Sequence, residues 1–121
     1  MSETGIDYSK YPYKILERKW VDWDGLFFAL DFTKPLEDNQ KIEIENIYHD
    51  WGIKNQEGDK SIHFFSDCTW NKIKSSLEFW ADMGSAESSI LEELLDSFSK
   101  QSEIIKELFV GRNPKSQEPT P

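Results

Sequence analysis

RKWVDWDGLFFALDF, residues 18–32, is the stretch that decides the predicted fold. Asp24-Gly25 is a residue pair typical of tight two-residue hairpin turns, and residues that favour β-strands flank it on both sides. Because side chains alternate along a strand, pairing about this turn brings one mostly apolar set onto a common face. We expect that face to be the core side, and it comprises Ile15, Val21, Trp23, Leu26, Phe28, Leu30 and Phe32.

The other face of the predicted hairpin combines two large aromatic side chains, Trp20 and Phe27, with charged residues. Arg18 is expected opposite Asp31, where the two form a weak cross-strand ion pair. If helices cover only the core side, this aromatic face stays open and has an acidic border of Asp22, Asp31, Glu43 and Glu45. Such a surface is typical of a protein interface. The alternative is that the N-terminal segment folds over it with its tyrosines, Tyr8, Tyr11 and Tyr13.

Beyond the hairpin, the patterns predict two further strands and then two helices. Residues 41–48 begin with strict alternation and residues 61–65 form a short apolar run, so both are expected to be strands. One helix is expected over 68–83, with an apolar stripe of Trp70, Ile73, Leu77 and Trp80. A second is expected over about 86–109, with an apolar stripe that runs from Ile90 to Phe109, and its length favours a break near 99–102. The predicted class is α+β: an antiparallel sheet of about four strands in the N-terminal two-thirds, followed by two amphipathic helices packed on one face.

The chain of 121 residues fits one domain and is long enough to bury a core without disulfides. Residues 1–10 are polar and are expected to be a flexible N-terminus. Residues 112–121 hold three prolines and no large apolar side chain, so a disordered C-terminal tail is expected there. The single α+β domain is therefore assigned to residues 11–111.

The composition is acidic, with 23 acidic and 14 basic residues and a formal net charge of −9. A surface of this sign repels nucleic acid and anionic membranes and suits a basic protein partner, although it can also serve solubility alone. Cys68 is the one cysteine, which excludes an internal disulfide. No apolar leader follows the first methionine and no apolar run is long enough for a membrane span, so a cytoplasmic location is expected.

Residues capable of metal ligation or catalysis are present, but their spacing matches no known motif. The set contains no CxxC or HExxH arrangement, so neither a metal nor a cofactor is predicted from His49, Asp50, His63, Asp67 and Cys68. A small enzyme is one alternative. In it Cys68, at the start of the predicted first helix, acts as a thiolate beside His63.

Small size, acidity, an α+β pattern and five tryptophans together resemble bacterial immunity proteins, which bind a basic toxin such as a nuclease and block it. The resemblance implies an inhibitor without enzymatic activity that captures its toxin by charge complementarity and anchors it with aromatic side chains. The predicted contact residues are Trp20, Asp22, Asp24, Phe27, Asp31, Glu43, Glu45 and Asp50. The other binding alternative is a secretion-type chaperone or adaptor that acts as a dimer. It would hold an extended segment in an apolar groove, and the long C-terminal helix would help to pair its subunits. Monomer and homodimer both remain open.

Overall fold

The computed structural model describes residues 4–18 and 21–112. These residues fold into a β-sheet with two helices on one of its faces. The predicted α+β class is confirmed, although the sheet is mixed rather than purely antiparallel and has six strands among these residues rather than about four. In chain order the elements are β1 (Lys14–Glu17), β2 (Leu26–Phe32), α1 (Asp38–Asn55), β3 (Phe64–Phe65), β4 (Thr69–Trp70), β5 (Leu77–Asp82), α2 (Ser88–Ser99) and β6 (Ile105–Arg112).

The strands lie in the order β1-β6-β2-β5-β3, and β4 also pairs with β5. β1 runs parallel to β6, whereas β2 is antiparallel to both of its neighbours, β5 and β6. β2 is thus a central strand, and its inward side chains Leu26, Phe28 and Leu30 are fully buried, as the predicted core face requires. The other predicted members of that face are partly buried against the core: Ile15, Val21, Trp23 and Phe32.

The predicted hairpin about Asp24-Gly25 is wrong, because β1 pairs with β6 and not with β2. Trp23–Gly25 instead forms a single 3-10 turn, in which the Asp22 carboxylate accepts a hydrogen bond from the Asp24 N–H at 3.0 Å. Aspartate and glycine suit capped turns as well as hairpins, so the pair does not distinguish the two structures. The true partner of β1 lies at the far end of the described chain, where a local turn signal carries no information.

Helix α1 occupies the segment for which alternation over 41–48 predicted a strand. Ile42, which that strand would have placed in the core, is 56% exposed. The helix begins after Glu37, whose backbone N–H donates to the Gln40 side-chain carbonyl at 2.9 Å, as in a capping box. Over the longer window the buried side chains follow helical spacing: Ile44, Tyr48, Trp51 and Asn55.

Strands β4 and β5 form a hairpin where a helix over 68–83 was expected, so that prediction is wrong as well. The turn is set by Asn71, whose side-chain carbonyl accepts from the N–H groups of Ile73 and Lys74 at 3.0 Å. Ile73, which the helical stripe placed in the core, is 95% exposed at this turn. In β5 it is alternate residues that are buried: Leu77, Phe79 and Ala81.

Helix α2 ends at Ser99, at the break expected near residues 99–102, but the chain continues as β6 and not as a helix. β6 inserts between β1 and β2 and buries Leu108 and Val110 on the core side. Both halves of the predicted helix 86–109 are apolar, and the strand half is richer in β-branched and aromatic residues. Ile90 of α2 is partly buried, and the other four large apolar side chains of the helix are buried in the core: Leu91, Leu94, Leu95 and Phe98.

The two helices pack on the same sheet face through a cluster of aromatic rings. Phe28 and Phe79 stack across β2 and β5 with centroids 4.9 Å apart. Tyr48 of α1 lies 4.0 Å from the Phe79 ring, and Phe98 of α2 lies 6.1 Å from it. Rings of this size contribute most to the free energy of core formation, because each buries a large apolar area.

A glycine allows α1 to approach β3 closely. A Cβ on Gly52 would lie 2.5 Å from the ring of Phe65, a distance that real contacts do not show. Phe65 also packs edge-on against Tyr48, with centroids 5.8 Å apart. The Phe65 ring therefore occupies the space that any larger residue at position 52 would need.

The N-terminal segment packs on the helical side of the sheet. The Tyr13 hydroxyl donates to the Leu95 carbonyl at 2.7 Å, and Lys10 pairs with Glu92 at 2.6 Å, both on α2. Ile6 is buried as well, so packing begins within the segment that was expected to be flexible. For the described residues 4–18, the alternative in which this segment folds over the aromatic sheet face is wrong.

Two further expectations concern the end of the chain and membranes. The tail predicted over 112–121 lies, from residue 113 onward, outside the described residues. Within the part of the chain that the structure describes, neither helix has the length and apolar character needed to cross a bilayer.

Candidate functional site

The sheet face opposite the helices, here called the open face, carries alternate side chains of β1, β6, β2 and β5. Both helices contact the other side of the sheet, through Tyr48 and Phe98, so no described helix covers it. Most of its members are half-buried, because side chains on neighbouring strands flank them. By strand register the open face comprises Lys14, Leu16, Phe27, Ala29, Asp31, Glu78, Trp80, Asp82, Glu107 and Phe109.

Three aromatic side chains form a row across one half of the open face. Phe27 and Trp80 are register partners on β2 and β5. Phe64, on the edge strand β3, extends the row with its ring centroid 5.1 Å from that of Trp80, and it is 45% exposed. Partly exposed aromatic rings supply the large, rigid contact area on which protein interfaces depend. We call Phe27, Trp80 and Phe64 the aromatic row.

Arg18 lies over the Phe109 ring in the other half of the open face. Its guanidinium lies 5.1 Å from the centroid of the Phe109 ring, a cation–π contact worth about 0.5–1 kcal/mol at an exposed site. A Cβ on Gly111 would lie 3.0 Å from the Cβ of Arg18, so the glycine leaves room for this side chain to cross β6. The predicted ion pair between Arg18 and Asp31 is therefore wrong.

A groove of about 330 Å³ runs beside the aromatic row. Its lining includes the aromatic residues Phe27 and Trp80 and the acidic residues Asp67 and Glu78. The Glu78 carboxylate also accepts a hydrogen bond from the Asn71 side-chain amide at 3.1 Å. The Ser66 hydroxyl accepts a hydrogen bond from the backbone N–H of Trp80 at 2.9 Å, which holds the β3–β4 loop against β5. The groove thus offers aromatic faces for an aliphatic stem and carboxylates for a cationic end, which are the features that lysine and arginine side chains need.

Asp31 lies at the opposite end of the open face from the groove. Its strand neighbour in register on β6 is Glu107, which also pairs with Lys14 at 3.9 Å. Burial, and then the Glu107 carboxylate, raise the pKa of Asp31 above its ordinary value. This end of the face therefore holds its negative charge less readily than an exposed carboxylate does.

The predicted contact residues do not form one surface. Phe27 and Asp31 lie on the open face, as expected. Asp22 and Asp24 lie in the 3-10 turn that precedes β2, where the Asp22 carboxylate caps the turn. Trp20, the other expected anchor, lies outside the described residues.

The acidic border expected from Glu43 and Glu45 is wrong, because both residues lie on α1 in the other layer. Glu45 accepts a hydrogen bond from the Trp70 indole N–H at 2.5 Å, and Glu43 accepts one from Gln101 at 3.4 Å. Asp50 is also on α1 and is exposed. The acidic groups beside the aromatic row come from β5 and from the β3–β4 loop instead.

Sequence reasoning missed Trp80, Phe64, Glu78 and Phe109 as members of this face. Trp80 and Phe109 were assigned to the apolar stripes of helices, which would have buried them. The signal that identifies Glu78 and Trp80 is the alternation in LEFWAD, residues 77–82, in which one set is buried and the other half-exposed.

A second cleft, of about 360 Å³, lies between α1 and the β3–β4 loop and is lined by His49, Asp67 and Cys68 among others. His49 and Cys68 thus lie in the same cleft. His63 is not among the lining residues and lies against Gly84 instead. Burial, then Glu45 and Asp67, raise the pKa of Cys68 to about 12. A thiol with so high a pKa is a poor nucleophile near neutral pH. Cys68 also follows the two-residue strand β3 rather than starting a helix.

In the described ranges, no group of three or more His, Cys, Asp or Glu side chains is arranged to hold a metal ion. Comparisons with protein-family models, curated proteins and solved structures find no match to this chain. The open face must therefore be interpreted from its own geometry. That geometry defines a sheet face with a half-exposed aromatic row and carboxylates beside it.

Proposed function

We propose that this protein is a binding module that captures a basic protein through its open face. The observation that supports the proposal best is the groove whose lining combines the aromatic residues Phe27 and Trp80 with the acidic residues Asp67 and Glu78. A lysine or arginine from the partner would lay its methylene groups on the rings and bring its charge to the carboxylates. Phe64 would add apolar contact at the edge of the same surface.

The charge of the whole chain supports the same kind of partner. A formal net charge of −9 attracts a cationic protein over a distance comparable to the Debye length, which raises the association rate. Within the interface the aromatic row would supply most of the affinity, because desolvated aromatic anchors dominate binding free energies. Charge therefore accounts for capture, and the aromatic groove for retention.

The finer form of the proposal is that the protein is an inhibitor of the immunity type, which neutralises a basic toxin in the cytoplasm by occluding it. This form is supported by the acidity and small size of the chain and by a binding face built on a rigid sheet. It predicts that one molar equivalent of the protein abolishes the activity of its captured partner. Unchanged activity in a saturated complex would contradict the inhibitor and leave the binding module intact.

The adaptor alternative expects a long C-terminal helix to help pair its subunits. In the structure α2 is a helix of 12 residues, and four of its five large apolar side chains are buried in its own core. The enzyme alternative with His63 and Cys68 finds no support in the raised pKa of Cys68 or in the separation of His63 from the Cys68 cleft. The binding module is thus the function that the geometry favours.

Photo-crosslinking in the native host tests the proposal directly. The photoreactive residue p-benzoylphenylalanine replaces Phe64, on the open face, or Ile53, on α1 in the opposite layer. The two positions are matched controls, since the native side chains are 45% and 55% exposed. We expect an adduct with a basic protein at position 64 and none with that protein at position 53. Adducts of equal yield, or adducts at position 53 alone, would contradict the open face as the interface.

A further inference from the structure

A basic cleft of about 550 Å³ lies at the end of the sheet away from the aromatic groove. Three lysines line it, and each comes from a different part of the fold: Lys34 follows β2, Lys74 lies in the β4–β5 turn, and Lys106 is on β6. Such convergence of like charges is unfavourable unless a counterion is present. The charge of the cleft is therefore positive, whereas the net charge of the chain is negative.

Among the described residues, some lysines form ion pairs with glutamates, and others, including those of this cleft, form none. Lys10, Lys14, Lys54 and Lys60 each lie within 4.0 Å of a glutamate carboxylate. Among the described residues, Lys34, Lys74 and Lys106 have no carboxylate at that distance, although the chain carries 23 acidic residues. Their positive charge is thus available to a ligand.

The rest of the lining fits an organic anion. Ser75 contributes a hydroxyl group to the lining, and Phe32 and Pro35 contribute its apolar part. The Thr33 hydroxyl also lies there but donates to the Glu103 and Ile104 carbonyls at 3.3 and 3.4 Å. The Phe32 ring is held in place by Trp70, with centroids 5.7 Å apart. Hydroxyl donors and lysine ammonium groups are the usual partners of phosphate oxygens, and an aromatic wall accepts a flat apolar body.

We propose that this cleft binds a small phosphate monoester, with the phosphate on the three lysines and the organic body against Phe32 and Pro35. Among the described residues that line the cleft, Asp31 is the one carboxylate, so three lysines and one aspartate leave a formal charge of +2. A phosphate monoester carries about −1.5 to −2 at pH 7, which matches that charge. The site is distinct from the groove of the aromatic row and does not depend on the proposed partner.

Titration of the full chain with phenyl phosphate, followed by amide chemical shifts, tests the site. We expect saturable shifts concentrated at Thr33, Lys34, Ser75 and Lys106, and weaker binding of inorganic phosphate, which lacks the aromatic body. In the Lys74→Gln/Lys106→Gln variant the Kd for phenyl phosphate should rise roughly tenfold, because two charge-assisted hydrogen bonds are lost. These lysines are exposed, so the fold is retained, and unchanged shifts elsewhere in the spectrum verify it.

Lys72→Gln is the matched control, since Lys72 is an exposed lysine of the same turn that does not line the cleft. Its Kd should stay within about twofold of the wild-type value. The proposal is overturned by shifts that do not saturate, or by an equal loss of affinity in Lys72→Gln, which would show attraction to charge alone. Equal affinity for inorganic phosphate would overturn the role of Phe32 and Pro35.

Discussion

Trp80 lies directly opposite Phe27 across β5 and β2, on the one sheet face that the described helices leave uncovered. Their inward neighbours, Phe79 and Phe28, stack on each other in the core beneath both helices. Two adjacent aromatic pairs on the same strands thus have different environments, since successive side chains point to opposite faces. One pair stabilises the fold, and we propose that the other binds a partner.

Truncation of Phe27 and of Phe28, adjacent phenylalanines of β2, should lower the free energy of unfolding by different amounts. Phe28→Ala removes a fully buried ring and should lower the free energy of unfolding by about 3–5 kcal/mol. Phe27→Ala truncates a half-exposed ring and should cost roughly 1 kcal/mol. Urea denaturation of both variants measures the difference, and equal costs would show that the assignment of faces is wrong.

Gly25→Ala distinguishes the observed 3-10 turn from the hairpin that Asp24-Gly25 suggests. A type I′ hairpin turn needs a positive φ at the glycine, so alanine there would cost about 1 kcal/mol or more. Gly25 has no positive φ, and a Cβ would meet only the Asp22 carboxylate at 3.8 Å. We therefore expect a change within about 0.5 kcal/mol by urea denaturation. A clear loss of stability would favour the hairpin.

Gly52→Ala should be costly, in contrast to Gly25→Ala. The added methyl would lie 2.5 Å from the Phe65 ring, and relief of that overlap requires α1 or β3 to move. Overpacking of this kind costs about 1–3 kcal/mol. The cost should fall when Phe65→Ala is already present, which a double-mutant cycle measures. Additive costs would mean that the two residues are not in contact.

The Cys68 thiol should react slowly in the folded protein. Because the folded pKa is raised to about 12, the thiolate is scarce at pH 8, and it becomes abundant only as the pH approaches that value. Alkylation by iodoacetamide at pH 8 should be at least about 100-fold slower in the folded protein than in urea, where the pKa returns to about 8.5. Comparable rates in both states would contradict the burial of the thiol and revive its catalytic use.

Features of this fold that depend on residues close together in the chain can be predicted from the sequence, whereas features that depend on distant residues cannot. The buried face of β2 follows from alternation within seven residues, and Leu26, Phe28 and Leu30 lie where the pattern puts them. The pairing of β1 with β6 joins the two ends of the described chain, and no local feature of either strand specifies it. Long-range pairing was therefore the part that the sequence could not supply.

The errors in element type have a related cause. Ile42 and Ile44 fit a strand over four residues, whereas Ile44, Tyr48 and Trp51 fit a helix over a longer window, and burial follows the second pattern. Ile73 and Leu77 satisfy helical spacing, yet a turn set by Asn71 separates them. Apolar spacing alone cannot distinguish these cases, because it does not reveal which residues tertiary contacts bury.

The candidate site was predicted in part for the same reasons. Phe27 was placed on the exposed side because alternation in β2 is unambiguous. Trp80 and Glu78, which share one face of β5, were missed because their segment was assigned to a helix. Asp67 lies beside them only through the pairing of β3 and β4 with β5. A prediction of the groove requires the sheet order, which the sequence does not contain in any local pattern.

The central claim is that the open face binds a basic protein through the groove beside Trp80. The most direct test is calorimetric titration of the partner that crosslinks at position 64 into the wild-type protein, Asp67→Lys and Asp59→Lys. The two variants carry the same change of charge, and both residues are exposed, but only Asp67 lines the groove. We predict that Asp67→Lys weakens binding by about tenfold or more, and that Asp59→Lys changes it by less than about threefold. Equal losses in both variants would mean that the partner responds to net charge alone and would contradict the groove as the binding site.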